Sequence, residues 1–223
     1  VIFDLYGTLV RSSVGLESIG SGLAAAVDVP PEHFNRVREQ TADDAMKGGL
    51  PTVEARAQAE MELLGVDASP EAVSRWTLAE REYLVSISEL YPHVPSILSD
   101  LRNDGYRLGL ISNCDAMGRV TVEELGLPPY FDAIRLSHEF GQTKPSPEIY
   151  LSICQELEVS PEECLYVGDG TARELEGASN VGMGVAWAAH DGGWARWRHV
   201  EVYHDHRLES LEELPELLRR LSR

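Results

Sequence analysis

The first nine residues read Val1-Ile2-Phe3-Asp4-Leu5-Tyr6-Gly7-Thr8-Leu9. The apolar residues before Asp4 predict a short buried strand, and Gly7 allows the chain to turn sharply after it. Such a strand delivers the Asp4 carboxylate to its C-terminal end, where the carboxylate can act as a nucleophile. Because many strands end in an aspartate that serves only a turn, this interpretation depends on partners elsewhere in the chain.

The composition limits the classes of partner. The 223 residues carry a formal net charge of −18, which argues against nucleic-acid binding. No apolar run reaches the roughly 18–20 residues that a membrane span needs. Three widely spaced cysteines show no metal-ligand spacing, so we expect reduced thiols and a cytoplasmic location. These features argue against nucleic acid and a membrane as partners, and they do not identify the partner.

The apolar pattern changes twice along the chain. Between residues 13 and 90 apolar residues recur with helical spacing, whereas from Pro92 onward short apolar strands alternate with helices. Candidate strands follow residue 92 at 107–111, 133–136, 164–167 and 184–187. This alternation predicts an α/β fold, a Rossmann-like parallel sheet with helices on both faces. The predicted core comprises residues 1–12 and 91–223, and an all-helical cap is inserted at residues 13–90.

Two further segments place polar side chains near predicted strand ends. Ser112 and Asn113 close an apolar strand, where a hydroxyl and an amide can donate hydrogen bonds to an anionic oxygen. Lys144 precedes Pro145, and the proline restricts the backbone at that point. Taken alone, a Ser-Asn pair is more often a turn, and a lysine is more often a surface residue.

The fourth segment is a second acidic strand end. Asp169 lies between Gly168 and Gly170 after an apolar strand, and Glu174 follows five residues later. Asp169 could ligate a hard cation together with Asp4, since Mg²⁺ prefers carboxylate oxygens, and Glu174 would support a ligand or a water. By itself, the Gly-Asp-Gly sequence is equally compatible with a simple turn.

Together these four segments, in this order, resemble the haloacid dehalogenase-like (HAD) hydrolase superfamily. The run Ser137-His-Glu-Phe-Gly-Gln-Thr-Lys144-Pro-Ser-Pro-Glu-Ile-Tyr150 is similar to the branch with a helical cap inserted after the first strand. The resemblance covers nearly the whole chain. It implies a cap that closes over the site and selects the substrate.

The resemblance also implies a role for each candidate residue. Asp4 would be the attacking carboxylate, and Ser112 and Lys144 would orient the substrate and the nucleophile. The catalytic set is Asp4, Tyr6, Ser112 and Lys144, and the substrate-binding set is Thr8, Ser112, Asn113 and Lys144. The cofactor implied is Mg²⁺, held by Asp4, the main-chain oxygen of Tyr6 and Asp169, with Glu174 in support.

Tyr6 departs from the phosphatase pattern of this superfamily. Phosphatases have a second aspartate at this position to protonate the leaving oxygen, whereas dehalogenases resemble this chain in their Asp-x-Tyr-Gly-Thr string. General acid catalysis contributes roughly 10²–10⁴-fold, so a phosphatase without that aspartate should prefer activated leaving groups, such as those of acyl or aryl phosphates. The metal-binding acid Asp169 nevertheless favours phosphatase chemistry.

Three hypotheses follow for the function. The first is Mg²⁺-dependent hydrolysis of a small organic phosphate through an aspartyl intermediate. The alternatives are a 2-haloacid dehalogenase-type C–halogen hydrolase and a catalytically weak member that binds a ligand or a partner protein.

Two groups of side chains are secondary candidates. Arg36, Arg38 and Arg56 are expected to be mostly solvated cap cations that could reach an anionic substrate. The segment 187–206 is rich in Trp and His without a compact ligand spacing, which predicts a packed aromatic loop rather than a metal site. A homodimer formed through its exposed aromatic side chains is a further hypothesis.

Overall fold

The computed structural model describes residues 1–189 and 202–222, except for the side chains of residues 16 and 17. A six-stranded sheet has the order β5-β4-β1-β6-β7-β8, and all its neighbours are parallel. The strands of the described chain are β1 (Ile2–Phe3), β2 (Val10–Ser12), β3 (Ser88–Leu90), β4 (Gly109–Ser112), β5 (Ala133–Leu136), β6 (Leu165–Gly168), β7 (Gly184–Ala188) and β8 (His206–Leu208).

Helices cover both faces of this sheet. The α-helices of the described chain are α1 (Leu16–Ala26), α2 (Pro31–Met46), α3 (Val53–Leu64), α4 (Pro70–Ile87), α5 (Val94–Asn103), α6 (Met117–Glu124), α7 (Ser137–Phe140), α8 (Pro147–Leu157), α9 (Glu174–Asn180) and α10 (Leu214–Leu221). Successive strand residues face opposite ways. Phe3 accordingly packs in one apolar cluster with residues of α5 and α10, and Ile2 packs in another with residues of α8 and α9. The predicted α/β fold is confirmed.

The position of β1 explains why its end carries the site. Phe3 pairs with Leu110 on one side and with Val167 on the other, so β1 is flanked by β4 and β6. The Asp4 amide donates to the Val167 carbonyl at 2.9 Å, which continues the ladder by one residue. Parallel strands end at the same edge of a sheet, where open α/β folds bind their ligands. Asp4 therefore emerges between the ends of two other strands.

The helices α1 to α4 pack on one another and are called here the helical layer. Their apolar faces meet in a third cluster, in which the rings of Phe34 and Trp76 stack with centroids 6.1 Å apart. Ser69 accepts a hydrogen bond from the Ala72 amide at 3.4 Å, so it caps α4 as its sequence predicts. The layer contacts the rest of the chain where α2 meets α7 and where α4 meets α6.

The prediction of an all-helical segment between residues 13 and 90 is wrong at its end. β2 and β3 form a two-stranded antiparallel ribbon in which Val10 pairs with Leu90 and Ser12 pairs with Ser88. β2 precedes the helical layer in the chain and β3 follows it, so the ribbon lies where the chain enters and leaves this layer. Three-residue strands are too short to show a period of two, and β3 follows α4 without a break. Its pairing depends on a contact between distant residues.

The expected aromatic loop at residues 187–206 is also partly wrong. Trp187 belongs to β7, and His206 begins β8, which extends the sheet by one edge strand. The rings of Trp187 and His204 lie 5.4 Å apart. The other residues of that prediction, His190, Trp194, Trp197 and His199, lie outside the described residues. Of the described helices, none combines the length and the apolar character needed to cross a bilayer.

Candidate active site

A buried ion cluster lies at the C-terminal edge of the sheet. The Lys144 Nζ contacts the Asp4 Oδ1, and it donates to the Glu174 Oε2 at 2.5 Å. These three side chains are almost fully buried, as is Asp169. They come from the ends of β1 and β6, from the start of α9 and from the loop before α8. The structure therefore brings together the predicted residues 4, 144, 169 and 174.

Lys144 is fixed by contacts with its main chain and its side chain. Asn113 donates from Nδ2 to the Lys144 carbonyl at 3.0 Å and accepts at Oδ1 from the Lys144 amide at 2.7 Å. The ammonium group also lies 3.1 Å from the Tyr166 hydroxyl and 3.4 Å from the Ile111 carbonyl. Asn113 thus holds the lysine loop, and its predicted contact with substrate stays a prediction.

The second carboxylate oxygen of Asp4 also has a partner. The Thr8 Oγ1 donates to the Asp4 Oδ2 at 3.2 Å, and both side chains are buried. With Lys144 on Oδ1, the carboxylate is held from two sides, and this fixes its orientation. Thr8, predicted to bind substrate, contacts the nucleophile in this structure.

Gly7 permits the close approach of the two acidic strand ends. Its φ is +77°, a conformation that glycine adopts without steric cost. A Cβ at this position would lie 2.4 Å from the Asp169 Oδ2, closer than van der Waals contact allows. A side chain at residue 7 would therefore displace Asp169 from its place beside the Asp4 turn.

The loop after β6 orders both of its acids. The Asp169 Oδ1 accepts from the Thr171 amide at 2.9 Å, and the Glu174 Oε1 accepts from the Gly170 amide at 3.0 Å. Glu174 also accepts from the Tyr166 hydroxyl at 2.8 Å. Sequence analysis missed Tyr166 because a tyrosine in a buried strand looks like an ordinary core residue.

Two buried polar atoms near the ends of β4 and β6 have no hydrogen-bond partner within the described chain. These atoms are the Ser112 Oγ and the Asp169 Oδ2, and both residues are 1% exposed or less. An unsatisfied buried polar atom costs free energy, so such atoms at a ligand site indicate where a ligand bonds. One is a hydroxyl that can donate to an anion, and the other is a carboxylate oxygen that can bind a cation.

The carboxylates fit a divalent metal ion. One oxygen from each of Asp4, Asp169 and Glu174 lies within 4.8 Å of the others. Hard oxygen donors in a buried group are the set that Mg²⁺ takes, and the free Asp169 oxygen is available for it. Glu174 bonds through both oxygens, to Gly170 and to Lys144, and Asp4 does so to Lys144 and to Thr8, so the free oxygen makes Asp169 the best-placed ligand.

The electrostatics of the site favour a bound cation. Burial, with the nearby Glu174 carboxylate, raises the pKa of Asp4 to about 7 although Lys144 opposes the shift. Burial and the negative charge of Asp4 raise the pKa of Asp169 to about 6. Burial alone would lower the pKa of Lys144, but Asp4 and Glu174 outweigh it and raise the pKa. The lysine is charged, and one positive charge does not neutralise three carboxylates.

Tyr6 lies at the boundary between the site and the helical layer. Its hydroxyl donates to the Thr121 Oγ1 at 3.1 Å, and loss of hydration around the hydroxyl raises the pKa of Tyr6. The phenol therefore stays protonated at neutral pH. The metal contact predicted for the Tyr6 main-chain oxygen stays a prediction.

A cavity of about 340 Å³ extends from Tyr6 and Asn113 into the helical layer. Arg38 and Arg56 line it, but they are not the solvated cations that the sequence predicts. The Arg56 side chain is only 2% exposed, and it bonds to the Glu80 Oε2 at 2.8 Å and to Asp115. Arg38 pairs with the same Glu80 at 2.8 Å. Helical spacing cannot reveal this pairing, because the carboxylates come from separate elements.

The sequence profile of the haloacid dehalogenase-like hydrolases matches residues 1–182. The chain belongs to this family. It is 24% identical to a glyceraldehyde 3-phosphate phosphatase of Methanocaldococcus jannaschii, over 100% of this chain and 98% of that protein. It is 29% identical to a phosphoglycolate phosphatase of Aquifex aeolicus, over 84% of this chain and 83% of that protein. These matches confirm the predicted hydrolase family.

A solved structure shows the same fold over almost the whole length. The 2-haloacid dehalogenase of Pseudomonas syringae pv. Tomato DC3000 superposes with a TM-score of 0.75 at 24% identity, and the match covers 99% of this chain and 97% of that one. At this identity the likeness concerns the fold alone. The helical layer, which the sequence predicts as a cap, falls within the matched length.

Proposed function

We propose that this hydrolase is a Mg²⁺-dependent phosphatase that cleaves a small organic phosphate through an aspartyl intermediate. The proposal rests on one observation: the buried side chains of Asp4, Lys144 and Asp169 meet at the sheet edge where β4 also ends, at Ser112, and the Asp169 Oδ2 and the Ser112 Oγ have no partner within the described chain. The relatives named as phosphatases support this reaction class.

Each of these residues has a separate role in the proposed reaction. The Asp4 Oδ attacks phosphorus, and Thr8 and Lys144 hold the carboxylate in position. Ser112 donates its unused hydrogen bond to a phosphoryl oxygen. Two unit charges of one sign 4 Å apart repel by about 4 kcal/mol at an effective dielectric constant near 20, so nucleophile and phosphate need nearby positive charge. Lys144 supplies part, and Mg²⁺ on Asp4 and Asp169 would supply the rest.

Asp169 separates this proposal from dehalogenation. Displacement of halide from carbon needs no divalent cation, and a free, buried carboxylate oxygen beside the nucleophile would repel a haloacid carboxylate. The Asp-Leu-Tyr-Gly-Thr string is what keeps dehalogenation as the second candidate.

We also propose that the helical layer acts as a cap, that the core is residues 1–12 and 91–223, and that the protein is cytoplasmic. Its three cysteines are free thiols, which is typical of a reducing compartment. The homodimer stays a prediction.

Parallel assays of phosphate and halide release test the reaction class. We expect phosphate release that requires Mg²⁺, stops with chelator and falls by on the order of 10⁴-fold or more in Asp4→Asn. Asp100→Asn, exposed on α5, is the matched control and should retain the parent activity. Halide release that persists with chelator would instead establish the dehalogenase. If neither phosphate nor halide is released, the hypothesis of a catalytically weak member that binds a ligand or a partner protein would be favoured.

A further inference from the structure

The cavity beyond Tyr6 has mostly apolar walls. Side chains of the helical layer and of α6 contribute them, namely Ile19, Ala42, Met46, Leu84 and Met117. Tyr6, two residues after Asp4 in the chain, also lines the cavity. A leaving group that fills this space gains from burying apolar surface and from packing against an aromatic ring.

The charged groups of the cavity are already paired. Arg38 bonds to Glu60 at 3.3 Å and to Glu80, while Arg56 bonds to Glu80 and to Asp115. Two guanidinium groups thus meet three carboxylates, so this cluster has no excess positive charge. A second anionic group on the substrate would lose its hydration there without gaining an unpaired cation, which is unfavourable.

The same cavity offers no acid for the leaving oxygen. Among the described residues that line it, the carboxylates are Glu60 and Asp115, and both are ion-paired with arginines. The Tyr6 hydroxyl already donates to Thr121. The leaving group must therefore depart as an anion. A phenol ionises near pH 10, as tyrosine does, whereas an alkyl alcohol resembles water, with a pKa of about 16.

Both observations point to one substrate class, and the inference rests on the proposed phosphatase function. We propose that the substrate is an aryl phosphate monoester whose aromatic leaving group occupies the apolar cavity and carries no second charged group. The Asp4 Oδ attacks phosphorus, and the bond from phosphorus to the aryl oxygen breaks with its electron pair, so that phenolate leaves and takes a proton from water. A second water attacks the aspartyl phosphate, which releases phosphate and restores the Asp4 carboxylate.

Four probe esters test this assignment on the parent enzyme with Mg²⁺. Phenyl and cyclohexyl phosphate have similar shape but differ in leaving-group acidity. We expect kcat/KM to be at least about 10²-fold higher for the phenyl ester, the usual contribution of the missing acid. The esters 4-carbamoylphenyl and 4-carboxyphenyl phosphate have similar size but differ in charge, and we expect the charged ester to have a KM about tenfold higher.

Residue 6 provides the matched variants. Tyr6→Asp supplies the acid, so it should raise turnover of cyclohexyl phosphate more than that of phenyl phosphate and shrink their ratio. Tyr6→Asn has the size of Asp without its proton, so the ratio should stay as in the parent. If neither variant folds, the four esters on the parent still decide.

The outcomes separate the two proposals. Equal kcat/KM for phenyl and cyclohexyl phosphate, or a lower KM for the carboxylated ester, would overturn the aryl assignment and leave the phosphatase intact. Absence of phosphate release from all four esters, in protein shown to be folded by circular dichroism, would overturn the phosphatase and the aryl assignment with it.

Discussion

At the scale of single residues, the Ser112 Oγ and the Asp169 Oδ2, which have no hydrogen-bond partner within the described chain, indicate most directly where a ligand binds. The Ser112 hydroxyl makes no hydrogen bond within the described chain, so its removal costs the fold little. We predict that Ser112→Ala keeps the free energy of unfolding but lowers kcat/KM for phosphate esters by about 10–100-fold, equivalent to one charged hydrogen bond. Urea denaturation and steady-state kinetics measure the two quantities.

Ser137 is the matched control for this prediction. It is buried like Ser112, but its hydroxyl accepts from the Cys114 amide and donates to the Cys114 carbonyl, each at 3.0 Å. Ser137→Ala should lower the free energy of unfolding by about 1–3 kcal/mol. If Ser112→Ala instead destabilises the protein as much as Ser137→Ala does and spares kcat/KM, the Ser112 hydroxyl has a structural role.

The raised carboxyl pKa values predict how stability depends on pH without metal. Asp4 and Asp169 retain protons in the folded state that the unfolded chain releases near pH 4. The free energy of unfolding should therefore fall as pH rises from about 4 to about 7. Mg²⁺ binds the ionised carboxylates, so it should raise Tm more at pH 7 than at pH 5.

Asp169→Asn checks the source of this dependence. The variant removes one of the carboxyl groups whose pKa is raised, so thermal unfolding in chelator should show a shallower fall with pH, and Mg²⁺ should raise Tm less. The exposed Asp100→Asn variant is the control and should follow the parent curve. Identical curves for Asp169→Asn and the parent would show that other groups cause the dependence.

Sequence analysis found the residues that lie at strand ends but not those that support them. Asp4 and Asp169 were predictable because each follows a short apolar strand and has a glycine soon after it. Lys144 was predictable because Pro145 follows it directly. The partners Asn113 and Tyr166 were assigned another role or none. Their contacts depend on where a loop and a tyrosine hydroxyl lie in space, and no local pattern encodes that.

At the scale of elements, a buried ion pair joins the helical layer to the loop after β4. Arg56 of α3 contacts Asp115 in the loop after β4, only three residues beyond Ser112. Burial works against ionisation there, yet Arg56 and Arg38 hold the pKa of Asp115 below its usual range. Asp115 also accepts from the Met117 amide at 2.8 Å, at the start of α6.

Asp115→Asn isolates the charge of this pair, because Asn can still accept from Met117. The buried Arg56 guanidinium keeps Glu80 but loses the charge of Asp115, so we predict a loss of about 1–3 kcal/mol in the free energy of unfolding, measured in urea. Glu124→Gln breaks the exposed Arg81–Glu124 pair and is the control, with an expected loss below about 1 kcal/mol. Equal effects of the two substitutions would contradict a special role for the buried pair.

The strands and helices of the chain were predictable to different extents. The strand Ala133–Leu136 was predicted with its observed bounds, and β7 ends within one residue of its predicted end. The ribbon of β2 and β3 and the edge strand β8 were missed. Each of these has three residues and gains its stability from pairing with a distant segment, which periodicity does not report.

At the scale of the whole molecule, the fold of an acidic chain buries a lysine among carboxylates. The net charge is −18, yet Lys144 lies buried among three carboxylates at the end of the central strand. This arrangement is stable only with further positive charge when a phosphate is present. The parallel sheet, with β1 between β4 and β6, brings to one edge the strand ends that carry residues 4, 112 and 169, and the loop with Lys144 reaches the same edge.

The central claim is that Asp4 forms a bond to phosphorus. Mass spectrometry after rapid acid quench of the parent enzyme, mixed with phenyl phosphate and Mg²⁺, tests it most directly. The account predicts the mass of one phosphoryl group on the peptide that contains Asp4, and none in Asp4→Asn. A phosphoryl group on a different peptide, or phosphate release that persists in Asp4→Asn, would contradict it.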